Sequence, residues 1–240
     1  MVDARAAVDG FLPSSQGLPF TNDFPRQPVI KINIPGVGQV PIGDASRGLC
    51  GGMIYVTRDL FEAKLPQPAL KEPPPLDSPL YRYIVRRLFD SFDVPRGVAR
   101  YYQLMATPDA DAAWSSLTLR GAGRITIVNE WPQIRLDIDR GVLSPLGVIT
   151  LHSYDPFQLG HNHQVLAYAY EQQRTAVTLR VYDPNTPLDR ADDVTLSFDV
   201  TRPTGPVPIM HNLAIGGRPV RAFFRTRYRW TNPLPALGDG

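Results

Sequence analysis

The chain carries one cysteine, Cys50, in the stretch DASRGLCGGMIYVTRDL. Downstream of it, Met53, Ile54, Val56, Thr57, Leu60 and Phe61 recur at i, i+3, i+4 and i+7, which predicts a helix over 50–63 with Cys50 at its start. A thiol at a helix N-terminus lies beside unsatisfied backbone N–H groups and the positive end of the helix dipole, and both stabilise a thiolate. Gly51 and Gly52 would then let a substrate backbone come close. The same segment also reads as a small apolar side chain buried among packing glycines.

Two further residues could complete a nucleophilic site. His163, in GHNHQVLAYAY, stands at the entry to a predicted strand after a loop of glycine and asparagine, where an imidazole can project across a groove. Asp183, in LRVYDPNTP, lies 20 positions later at the end of the following strand. A hairpin with a short connection puts both at one end, where the carboxylate can accept a hydrogen bond from the imidazole and fix its tautomer. Each has a plainer reading: a histidine bonded to local backbone, and an Asp-Pro-Asn turn. His161 forms an H-x-H pair with His163, and His152 and Asp155 are close in sequence, but no third ligand has metal-site spacing and no metal is expected. A single cysteine also excludes an intramolecular disulfide and a multi-thiolate zinc site.

These groups need elements to hold them. Asp77 or Ser78 can cap a second helix, PLYRYIVRRLFDSF, with Pro79 in its first turn and Tyr83, Ile84, Leu88 and Phe92 on its inner face. A third helix is expected over 95–106. In NEWPQIRLDIDRG, Asn129 or Glu130 near the N-cap and Pro132 in the first turn make a short helix ending at Gly141. PLGVITLHSY is a continuous apolar run suited to a central strand, and HQVLAYAYEQQRTAVTLRVYDP reads as a hairpin turning at EQQRT. DDVTLSFDV and RAFFRTRYRW supply further strands. The expected organisation is one α+β domain: a loop-rich segment 1–46 with β-like pieces at Val29 to Ile34, a mainly helical part 47–142, and a mainly antiparallel sheet 143–240.

A nucleophile at a helix start, a base at a strand start and an orienting acid on the paired strand form the constellation for thiol acyl transfer. GLCGGM around Cys50, HNHQVLAYAY around His163, LRVYDPNTP around Asp183 and NEWPQIRLDIDRGVLSPLGVI together resemble the papain-like cysteine peptidase fold, and more narrowly the bacterial C39-like peptidase group. The resemblance implies a helical lobe carrying the cysteine, packed on an antiparallel sheet carrying histidine and acid. It implies a cysteine peptidase or amidase with Cys50, His163 and Asp183 as catalytic triad, a peptide or protein substrate and no cofactor. The family usually places a glutamine several residues before the cysteine as an oxyanion donor; here Asp44 stands six before it, and the nearest upstream glutamine is Gln39. The expected oxyanion donors are therefore the Cys50 backbone N–H and Gln39. Two other outcomes use the same residues: a transglutaminase-like acyltransferase, and a catalytically weak or inactive papain-like domain acting as a binding module.

Composition narrows the remaining classes. Hydrophobic residues make up 43% and charged residues 20% of 240, with a formal net charge of +2, so no global field favours nucleic acid or an anionic membrane. In RPVRAFFRTRYRW, Arg218, Arg221, Arg225, Arg227 and Arg229 alternate with aromatics; an outer strand with arginines outward explains this without a nucleic-acid partner. No run approaches the roughly 18–20 apolar residues of a bilayer span, and the first residues lack the apolar core of a signal peptide, so a cytoplasmic protein is the expectation.

Overall fold

The computed structural model describes residues 3–25, 29–34, 36–44, 48–114 and 117–237. In chain order these form β1 (Ala4–Ala7), α1 (Pro13–Gln16), β2 (Val29–Ile34), β3 (Gly38–Asp44), α2 (Cys50–Glu62), α3 (Pro79–Ser91), α4 (Arg96–Ala106), β4 (Ala112–Trp114), β5 (Leu117–Leu119), α5 (Ala122–Arg124) and α6 (Trp131–Asp139). There follow β6 (Ser144–Ile149), a 3-10 turn (Pro156–His161), β7 (His163–Gln173), β8 (Ala176–Tyr182), a second 3-10 turn (Leu188–Asp193), β9 (Thr195–Asp199), β10 (Met210–His211), β11 (Ala222–Arg225) and α7 (Leu234–Leu237). The protein is thus mixed α+β, with most helices before an antiparallel sheet of order β10-β9-β8-β7-β6-β11.

The sheet is covered on both faces, which explains the unbroken apolar run of its central strand. Every residue of β6 is buried. Leu146 and Val148 point into one core with Trp131, Ile134 and Ile138 of α6, and Ile149 joins the other core with α2, α3 and α4. The two phenylalanines of β11 divide in the same way: Phe223 belongs to the first core and Phe224 to the second. A strand buried on both sides has no polar face to alternate with.

The helices form where capping and periodicity predict them. Ser78 caps α3 by accepting from the Tyr81 backbone N–H at 3.1 Å, and Pro79 occupies the first turn, where its missing N–H costs nothing. The helix at Trp131 begins earlier than expected. A helical run starts at Ala122 and passes through a π-helical segment, Ile125–Glu130, before α6. The Trp131 N–H reaches back five residues to the Thr126 carbonyl. Pro132 can donate no hydrogen bond, so it fits where the ladder is already out of α-register.

The described residues of 1–46 contain more regular structure than a loop-rich segment suggests. β1 pairs antiparallel with β7 from Ala4↔Gln172 to Ala7↔Ala169, and β2 and β3 form a hairpin. ARAA has little strand preference of its own; the β7 edge beyond the end of β6 creates the strand. RAFFRTRYRW pairs only over Ala222–Arg225 and then leaves the sheet as an irregular segment packed on α2 and α3. Both phenylalanines are buried, so simple alternation of arginine out and aromatic in does not hold there. Among the described residues no helix is long and apolar enough to cross a membrane.

Candidate active site

The structure brings Cys50, His163 and Asp183 together. Cys50 is the first residue of α2; Leu49 precedes it as N-cap and supplies no side-chain hydrogen bond. Leu49 thus leaves the N–H groups of the first turn without a side-chain cap of its own. His163 opens β7 and Asp183 directly follows β8, so the β7–β8 hairpin delivers base and acid to one end. The loop leading into His163 is fixed by local bonds: the Thr150 hydroxyl donates to the His161 carbonyl at 2.8 Å, and the Thr150 N–H donates to Asn162 Oδ1 at 3.3 Å.

His163 Nε2 lies 2.8 Å from Asp183 Oδ1, with both side chains buried. This leaves Nδ1 as the ring nitrogen free to meet the Cys50 thiol, which lines the same small cavity as His163. Asp183 is saturated: Oδ1 also accepts from the Asn185 N–H at 2.9 Å, and Oδ2 accepts from the Ala214 N–H at 2.8 Å and the Thr186 hydroxyl at 3.2 Å. The Asp-Pro-Asn turn and the orienting acid are one arrangement, not alternatives. Burial alone would push the imidazolium down. The Asp183 charge, then that of Cys50, and hydrogen bonds to both outweigh it and raise His163 to about 10. Burial would raise Asp183, but the facing imidazole and the two backbone N–H donors hold its carboxyl below the ordinary value.

The glycines after Cys50 have a different role from the one expected of them. A Cβ on Gly51 would lie 2.3 Å from Ser91 Oγ and 2.5 Å from Gln164 Nε2, and one on Gly52 would lie 2.1 Å from the Ile84 carbonyl oxygen. Both face protein, not an open groove, and their lack of side chains lets α2 press against α3 and β7. Gln39 lies on the exposed side of β3, opposite Asn33, while its neighbour Val40 points into the core. Strand alternation thus turns the Gln39 side chain away from the interior, and Gln39 does not line the cavity beside Cys50. Asp44 ends β3; its side chain lies outside the described residues.

A cavity of about 10 Å³ adjoins the dyad, lined by Cys50, Tyr101, Asn162, His163 and Gln164 among others. Sequence reasoning passed over two of its polar groups, Tyr101 and Gln164. Gln164 Nε2 donates to Ser91 Oγ at 3.0 Å, while its Oε1 and the Tyr101 hydroxyl are buried without partners. The signal for Gln164 was a polar residue amid an apolar strand run; Tyr101 looked like any aromatic on an apolar helix face. His161 is exposed and gives its carbonyl to Thr150, and the His152 ring packs on Tyr154. Among the described residues no group of three or more His, Cys, Asp or Glu could hold a metal ion. Two arginines of the strip are engaged in ion pairs, Arg221 with Asp109 and Arg225 with Asp137. Comparison with protein-family models, curated proteins and solved structures returned no match.

Proposed function

We propose that the chain is a papain-like cysteine hydrolase of the C39-like kind, cleaving an amide in a peptide or protein by thioester acyl transfer. The observation that carries this reading is the meeting of three groups in one place: Cys50 at the head of α2 lines the same small cavity as His163, and His163 Nε2 lies 2.8 Å from Asp183 Oδ1. His163 Nδ1 takes the thiol proton. The thiolate attacks the carbonyl carbon, forming a C–S bond and moving the π electrons onto oxygen. The Cys50 backbone N–H faces that charge. Collapse breaks the C–N bond, and the amine leaves with the proton held by His163. Water, deprotonated by the same ring, then hydrolyses the thioester. An amine in place of water would make the reaction a transfer, using the same residues.

A second reading keeps the domain as a binding module. It is favoured by the closure of the site, with Cys50 only 6% and His163 only 3% exposed. One measurement separates the two. Iodoacetamide at neutral pH is expected to alkylate Cys50 at least about ten times faster than a simple peptide thiol, and His163→Ala is expected to slow this by about 10²–10⁴. Native-state alkylation no faster than the peptide thiol, and indifferent to His163, would leave the binding module standing.

A further inference from the structure

The Tyr101 hydroxyl has no packing role that explains it. Tyr101 is 1% exposed on α4, with its ring edge-on to Phe224 at 4.8 Å between centroids and tilted against Phe92 at 5.8 Å. A phenylalanine would make both ring contacts. The hydroxyl adds a buried polar atom without a hydrogen-bond partner, which opposes folding. It is also given room: a Cβ on Gly147 would lie 2.7 Å from Tyr101 Oη, so β6 carries a glycine where any side chain would crowd that oxygen.

Tyr101 shares with Cys50 and His163 the lining of one small cavity. At about 10 Å³ it has room for a single water-sized oxygen and little more. Its polar walls also include Cys50 at the head of α2, Asn162 and Gln164 on β7, while Leu88, Phe92 and Leu159 make apolar ones. A carbonyl oxygen that becomes negative when sulfur attacks needs donors fixed in advance. The Cys50 N–H is one, and Gln39 does not supply a second.

We propose that Tyr101 is a catalytic residue whose hydroxyl donates the second hydrogen bond to the oxyanion, in the place that Gln39 does not fill. The proposal rests on the thiol-hydrolase reading above. As thiolate and carbonyl carbon join, the carbonyl π pair moves to oxygen, and that oxygen accepts from the Cys50 N–H and Tyr101 O–H. Tyr101 keeps its proton throughout, and the C–O⁻ re-forms C=O as the leaving group departs. Burial, with the nearby Cys50 charge adding to it, holds the phenol well above its ordinary value, so it remains a donor at neutral pH.

Two reagents distinguish a bond to oxygen from an effect on sulfur. Iodoacetamide reacts by displacement at saturated carbon and forms no oxyanion, whereas p-nitrophenyl acetate acylates through a tetrahedral oxyanion and releases p-nitrophenolate. Tyr101→Phe removes an unpartnered atom and keeps the ring, so the variant is expected to fold. We expect its acylation rate at Cys50 to fall by about 10²–10³ while alkylation stays within about twofold of wild type. Equal losses in both reactions would mean that Tyr101 acts through the sulfur, and no loss in either would make it plain core; each overturns the proposal. Wild-type Cys50 that is alkylated rapidly but not acylated would overturn it too, because the cavity would then not receive a carbonyl oxygen. Failure of the hydrolase reading shows separately, as wild-type alkylation insensitive to His163.

Discussion

Asp183 accepts four hydrogen bonds from described residues, and one of them comes from His163. Three donors from its own turn and from Ala214 hold the carboxylate before the imidazole arrives, so the His163 ring meets a fixed acceptor. The charges of this pair tie stability to pH. Stability carried by the His163 imidazolium is complete below its unfolded value near 6.5 and is lost as pH rises through its folded value, about 10. Stability carried by the Asp183 carboxylate is complete above 3.8 and is lost as pH falls through its lowered folded value. In a Cys50→Ala background the urea midpoint should fall as pH rises above about 6.5, and the fall should be complete at lower pH than in the wild type, because Cys50 no longer helps to raise His163. Adding Asp183→Asn should flatten that slope. Parallel slopes in the two proteins would mean that the ring is neutral in the fold.

At the scale of elements, the site depends on how closely α2 approaches its neighbours. Gly52 faces the Ile84 carbonyl across the α2–α3 contact, where a methyl group would lie 2.1 Å from oxygen. Gly52→Ala should therefore force the helices apart and cost about 1–3 kcal/mol in denaturant unfolding. It should also slow alkylation of Cys50, because the sulfur moves with α2; unchanged stability and unchanged reactivity would refute the packing role. Much of this layer was legible beforehand. The first three long helices, the apolar β6 and the β7–β8 hairpin carry strong periodicity or capping signals, and the hairpin alone places His163 and Asp183 at one end. The rest depends on partners that a local pattern does not contain. ARAA becomes β1 because the β7 edge is free there. The π segment before Trp131 lies just ahead of Pro132, where a missing donor is tolerated, and nothing in the local pattern marks its start at Ile125. Gln39 looked usable until alternation along β3 turned it outward. Tyr101 was hidden because an aromatic on a helix face carries no sign of what its hydroxyl meets.

Across the whole molecule, the chain after β11 is bound to the helix that bears Cys50. Asp59 of α2 is fully buried and receives Arg87 Nε at 2.7 Å, Arg87 Nη2 at 3.0 Å, the Tyr83 hydroxyl at 2.9 Å, the Tyr228 hydroxyl at 2.7 Å and the Thr231 N–H at 3.2 Å. Arg87 Nη2 also donates to the Arg229 carbonyl at 2.8 Å, and the Arg58 guanidinium stacks 3.8 Å over the Tyr228 ring. Arg87→Ala would strand a buried carboxylate and should cost about 3–5 kcal/mol of unfolding free energy, measurable in guanidinium chloride. A loss below about 1 kcal/mol would place the pair among ordinary surface bridges. The same hub orders events during synthesis. Until residues 228–231 have left the ribosome, Asp59 lacks two of its donors, and the helix that begins at Cys50 is anchored only in part. The position of Cys50 at the head of α2 is thus tied, through Asp59, to a stretch of chain that lies about 170 residues further along the sequence.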